Sequence, residues 1–178
     1  DTLAAYQPMA MIWSHYGATL GARVQNATTG EIAYTSFENS DETTQGNWTI
    51  PSPSTNIQYD STSARTGKGF FQASGSTQTI SKGLRDGKYI LTYYKRLLDN
   101  PSITNATILR TKESDTDAQQ WIYVEHEIEI SGGGLTNLEI NVPTNDRIDE
   151  LRLYPNDALM TTYAYNKDTR QMLSSADE

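Results

Sequence analysis

Short runs of alternating apolar and polar residues recur along the chain, and no window carries a helical stripe. The alternation predicts strands at 22–25, 31–37, 70–73, 77–80, 88–96, 107–111, 121–130, 138–142 and 147–154. Turn-rich pieces separate them at 26–30, 40–46, 51–69, 85–87, 131–134 and 143–146. Many short strands joined by polar turns predict an all-β, antiparallel sandwich or barrel rather than βαβ units. Glycines 132–134 read as a hairpin turn and not a phosphate loop, because no helix follows them.

Two strands, 88–96 and 121–130, carry most of the pattern; in the first, Tyr89, Leu91 and Tyr93 alternate with Ile90, Thr92 and Tyr94. In 121–130, Ile122, Val124, His126, Ile128 and Ile130 alternate with Trp121, Tyr123, Glu125, Glu127 and Glu129. That is a strand packed on one side and wet on the other. In 147–154, Ile148, Glu150, Arg152 and Tyr154 fall on one side, and Asp149, Leu151 and Leu153 on the other. Asp149 therefore shares an apolar face, where a bare carboxylate is costly. A bound cation or a set of hydrogen-bond donors has to compensate it.

The flanks are less regular. Residues before Ala22 include Met9, Met11, Ile12 and Trp13 without a clear period, and a Thr161–Tyr165 run precedes a polar tail from Asn166. These ends read as pieces of neighbouring structure, with the tail partly mobile. The division is a flanking segment at 1–25, a sandwich at 26–155 and a second flank at 156–178. The opening Asp1-Thr2-Leu3 reads as a cut from something longer, so a missing signal peptide says nothing about export.

Charge narrows the partners. With 22 acidic and 14 basic residues the net charge is −8, and no basic cluster suited to nucleic acid is evident. No apolar run approaches the ~20 residues of a membrane-spanning helix. Cysteine is absent, which removes disulfides and thiolate metal sites. Three Asn-x-Thr sequons, at Asn26, Asn47 and Asn105, carry no weight in a bacterial protein.

The order of landmarks is distinctive. Tyr34-Thr35-Ser36-Phe37-Glu38 is followed by Trp48, Thr66-Gly67-Lys68, the strand Gly87–Tyr94, Trp121–Glu125 and Ile148-Asp149-Glu150-Leu151-Arg152-Leu153-Tyr154-Pro155. This order resembles the galactose-binding-like jelly roll of many carbohydrate-binding modules. Ile12-Trp13-Ser14-His15-Tyr16-Gly17 and Met160–Asn166 are similar to stretches around such a sandwich in secreted RHS/YD-repeat proteins of Bacteroidetes-type bacteria. Asn166 departs from the Asp usual in a YD repeat.

The resemblance implies an antiparallel jelly-roll β-sandwich in a secreted or cell-surface protein, with neighbouring repeats of the parent chain as partners. It also implies a structural calcium tying the first strand to the last through Glu38 and Asp149, helped by backbone oxygens of Gly67 and Lys68. A glycan or cell-surface ligand is the implied partner, on Trp121, Tyr123, Tyr59 and Tyr94, since sugar C–H faces stack on aromatic rings. Packing and strand propensity equally account for eleven Tyr and three Trp in such a chain. Trp48 reads as core, and His126 as a satisfied imidazole on an apolar face.

Chemistry-bearing motifs are scarce. There is no Gly-x-Ser-x-Gly elbow, and Glu125, Glu127 and Glu129 read as a solvated face rather than a glycosidase pair. The expectation is a non-catalytic binding module. Its rivals are part of a toxin or effector cargo and a purely structural spacer.

Overall fold

The computed structural model describes residues 8–14, 17–96, 100–165, 169 and 171–177. In chain order the strands begin with β1 (Met9–Ser14), β2 (Thr19–Gln25), β3 (Ala33–Thr35), β4 (Thr44–Gln45) and β5 (Trp48–Thr49). There follow β6 (Ile57–Tyr59), β7 (Gly69–Gln72), β8 (Gln78–Leu84), β9 (Gly87–Arg96), β10 (Ser102–Thr104) and β11 (Thr107–Glu113). The last are β12 (Ile122–Ile130), β13 (Thr136–Val142), β14 (Arg147–Pro155), β15 (Leu159–Tyr165) and β16 (Met172–Asp177). Helix among the described residues is confined to single turns at Thr29–Glu31 and Pro53–Asn56.

All strand pairs are antiparallel, and they form an all-β sandwich. One sheet runs β11-β12-β9-β14-β7-β6, with β3 also paired to β14; the facing sheet runs β10-β13-β8-β5-β4. Their inner residues make one core: Trp48, Ile50, Ile80, Leu138 and Ile140 from one side, Phe71, Leu91, Tyr93, Val124 and Leu153 from the other. Each such side chain contributes roughly 1.5–3 kcal/mol through burial. Trp48 is core, as its place after the Phe-Glu pair suggested, and its indole N–H donates to the Leu151 carbonyl at 3.3 Å.

A third layer comes from the two ends of the chain. The strands β1-β2-β15-β16 form one sheet, with Met160 of β15 opposite Val24 of β2. Its inner residues Ala10, Ile12, Val24 and Met160 pack on Ile32, Tyr34 and Tyr154, on the outer side of the larger sheet. The flanks are thus joined to each other. Met172–Asp177 is a paired strand where the sequence suggested a mobile tail. The expectations for His15, Tyr16 and Asn166 lie outside the described residues.

Each of the nine predicted strands runs through an observed one. The segment 31–37 shrinks to β3 for two local reasons. The Glu31 carboxylate accepts the Thr28 N–H at 2.8 Å and closes a helical turn ahead of it. At the far end Phe37 adopts φ 55°, which ends the strand. The glycines at 132–134 are not a hairpin, because β12 and β13 belong to different sheets. They carry the chain from one layer to the other, and the Gly133 N–H is held by Asp86 at 2.9 Å.

The largest correction concerns β14. Asp149 stands opposite Tyr94 and Arg152 opposite Thr92, so two residues of β14 oppose one of β9. The extra residue is a bulge at Glu150, whose φ is 53°. Strict alternation therefore fails: Ile148 joins Leu151 and Leu153 in the sandwich core, and Asp149 points to the other side with Tyr94. Both faces of β14 are buried, one by the facing sheet and one by the third layer and the loop before β7.

Opening and closing strands meet directly, with Thr35 opposite Leu151 and Ala33 opposite Leu153. At Gly69 a Cβ would lie 2.1 Å from the Phe37 carbonyl oxygen. Gly69→Ala forces that backbone contact apart, so its melting temperature should fall by roughly 5 °C or more. An unchanged melting temperature would show that β7 and the Phe37 turn are not in close contact.

Candidate functional site

Two left-handed residues aim the acids of this region. Phe37 sends its ring into the core, 5.7 Å from Phe71, and leaves Glu38 facing the loop that enters β7. The bulge at Glu150 turns Asp149 toward the same loop. Glu38 Oε1 accepts the N–H groups of Lys68 and Gly69, each at 2.8 Å. Asp149 Oδ2 accepts those of Arg65 and Thr66 at 2.9 and 3.2 Å, and Oδ1 that of Glu150 at 2.7 Å. The Glu150 carboxylate takes the Thr66 hydroxyl, the Tyr34 hydroxyl at 3.1 Å and the Arg152 guanidinium at 2.9 Å.

Three buried acids with one close guanidinium leave negative charge in the interior. Burial pushes Asp149 well above the usual carboxylate range, and the Glu150 charge adds to that against three N–H bonds. Burial also raises Glu38, opposed by the Gly69 and Lys68 N–H groups.

Calcium takes about six to eight oxygen ligands. Here the loop turns N–H groups to both carboxylates, and the Lys68 carbonyl is committed to the Asp60 N–H at 2.8 Å. Gly67, with φ 62°, supplies the turn. Among the described residues no three His, Asp or Glu side chains gather as metal ligands. Asp149 and Glu38 reach one loop at different residues, 65–66 and 68–69, and meet N–H donors there, a set of contacts that does not fit calcium. Backbone donors compensate Asp149.

Beside this seat lies a cavity of about 210 Å³, between the third layer and the loop from β3 to β5. Its aromatic walls are Trp13 of β1, Tyr34 of β3, and Tyr163 and Tyr165 of β15; its polar groups include Ser14, Ser36, Glu38, Asn39, Glu42 and Gln45. Trp13 is 55% exposed, while Tyr34 is nearly buried. Gln45 shapes the loop by donating to the Glu42 and Asn39 carbonyls and accepting from the Thr35 hydroxyl. Gly46 makes the close approach, since a Cβ there would fall 1.6 Å from the Tyr34 carbonyl oxygen.

The predicted ligand aromatics fare differently. Trp121 is only 1% exposed, packed with Ala64 and Phe70, and shows no ring face to solvent. Its expected place on an exposed face is corrected: it precedes β12 and is folded under the loop, its backbone N–H held by Asp117 at 2.8 Å. Tyr94 and Tyr123 do meet, with centroids 5.3 Å apart, but Arg65 covers a face of Tyr94 at 4.6 Å. Tyr59 is exposed on β6, three strands from β9 across the sheet. None of the four lines the cavity. The glutamates at 125 and 127 pair with Arg110 across the sheet, at 3.8 and 3.6 Å.

His126 is the satisfied imidazole that its position suggested. Its Nε2 meets the Tyr93 hydroxyl at 3.0 Å and Nδ1 the Thr111 hydroxyl at 2.8 Å. Sequence reasoning missed the cavity because three of its four aromatic wall residues, Trp13, Tyr163 and Tyr165, come from flanks assigned to neighbouring structure. The signal was there: Met9, Met11 and Trp13 alternate with Ala10 and Ile12.

No known protein family matches the chain, and no curated protein matches its sequence.

Both N–H groups on Glu38 fall on one oxygen, so Glu38→Gln keeps them and removes a buried charge. A raised folded pKa gives a contribution present below the ordinary carboxylate range and lost as pH rises through the raised value. Glu38→Gln should therefore melt at or above the wild type at neutral pH, the gap closing as pH falls. A clearly lower melting temperature would mean that the charge itself holds something. Millimolar calcium and chelator should likewise give the same melting temperature, and a rise in calcium would place a cation at the seat.

Proposed function

We propose that this chain is a non-catalytic β-sandwich module of a larger exported bacterial protein, and that it binds one small ring of a glycan in the cavity beside β1, β3 and β15. The supporting observation is an open Trp13 face beside Tyr163 and Tyr165, ringed by carboxylate, amide and hydroxyl groups. Sugar rings need that combination: an apolar platform for the C–H face and convergent polar groups for the hydroxyls. At about 210 Å³ the space is below the roughly 300–1,000 Å³ of drug-sized pockets, so it suits one ring rather than a chain.

A second reading draws on a different surface. Met9, Met11 and Leu159 stand exposed on the outer side of the third layer, aligned through Gln25 and Arg23 of β2. An apolar sheet face of this kind favours packing on neighbouring repeats of the parent chain. The two roles draw on different residues of β1 and β15. A toxin or effector role has no supporting observation of its own.

Calorimetry or ligand-observed NMR with a panel of monosaccharides tests the binding role. Trp13→Ala should weaken the best ligand by about tenfold or more while leaving the melting temperature near that of the wild type. Blank titrations throughout, or binding indifferent to Trp13→Ala, would overturn it.

A further inference from the structure

We infer that the ring taken by this cavity carries a protonated amine, so that the ligand is an amino sugar; the inference rests on the cavity being the binding site proposed above. Among the described residues its walls hold two carboxylates, Glu38 and Glu42, and no Lys, Arg or His. Trp13, Tyr163 and Tyr165 add aromatic surface, and the remaining polar groups, such as Ser14, Ser36, Asn39 and Gln45, are neutral. A cation is attracted both to carboxylates and to the negative faces of aromatic rings, whereas an anion is repelled by both.

The two carboxylates are not equivalent. Glu38 Oε1 is occupied by two backbone N–H groups. Glu42 Oε1 is buried and has no hydrogen-bond partner. Buried acceptors are almost always satisfied, and one left open at the wall of a cavity calls for a donor from the ligand. The backbone around Glu42 is not free to swing away, because Gln45 Nε2 holds the Glu42 carbonyl at 2.9 Å. An ammonium supplies that donor and adds a cation's direct attraction to the carboxylate, which a neutral hydroxyl lacks.

The same features rank the alternatives. Uronic and sulfated rings would bring negative charge against two acids, with no cation in the wall among the described residues. Neutral rings can donate a hydroxyl to Glu42 but bring no cation to pair with it. N-acetylation of the amine keeps the ring and removes the cation, so it should return affinity to the neutral level.

Ligand-observed NMR with glucosamine, N-acetylglucosamine, glucose, glucuronate and tetramethylammonium separates these cases. Glucosamine should bind about tenfold more tightly than glucose or N-acetylglucosamine, and glucuronate not at all. Glu42→Gln should cut that preference to within about threefold while glucose binding persists. Equal binding of glucose and glucosamine, or a glucosamine preference untouched by Glu42→Gln, would overturn the amine and leave the cavity as a sugar site. Tetramethylammonium binding with every sugar blank would overturn the sugar in favour of another ammonium ligand, and blanks throughout would overturn both readings.

Discussion

A strand buried on both faces has no solvent side to which a charge can turn, and β14 is such a strand with Asp149, Glu150 and Arg152 in its middle. Each charge must find its partners inside. Glu150 reaches Arg152, Tyr34 and Thr66, while Asp149 gathers three backbone N–H groups. Glu38 does the same for Lys68 and Gly69, where the loop enters β7. A loop with little regular structure is thereby fixed by its own backbone donors. Leaving a buried carboxylate or its donors unmatched costs about 1–3 kcal/mol per group, so the loop and the carboxylates depend on each other.

The cavity inherits its shape from that seat. Phe37 is held in a left-handed conformation, with its N–H on the Thr35 hydroxyl at 3.0 Å, and Glu38 is turned one way while the loop to β4 goes the other. Gly46 then brings the loop back onto β3, where its carbonyl takes the Tyr34 N–H at 2.9 Å. The third layer closes the space with Trp13, Tyr163 and Tyr165. A site that joins the two chain ends to the sandwich exists only when all three layers are assembled.

Strand pattern carried most of the fold into view. Period-two alternation in 121–130 and 88–96 placed both strands and their core faces, and His126 and Trp48 behave as their positions implied. Alternation failed where one residue was added, at Glu150, because a bulge inverts every assignment before it and leaves no mark in composition. The convergence of Glu38 and Asp149 on one loop was legible as a pattern of landmarks. The sign of their partners was not, since a sequence does not say whether a turn offers its N–H or C=O groups. Trp121 looked exposed because its strand is amphipathic, yet the loop at 60–68 covers it. The cavity was hidden for a third reason: its walls come from segments far apart in sequence.

Amide hydrogen exchange at Arg65, Thr66, Lys68 and Gly69 tests the central claim most directly. If the two buried carboxylates hold these groups, they exchange as slowly as amides of β9 and β14, although all but Gly69 lie in a loop. Exchange of all four at the rate of the exposed 131–134 turn would contradict it.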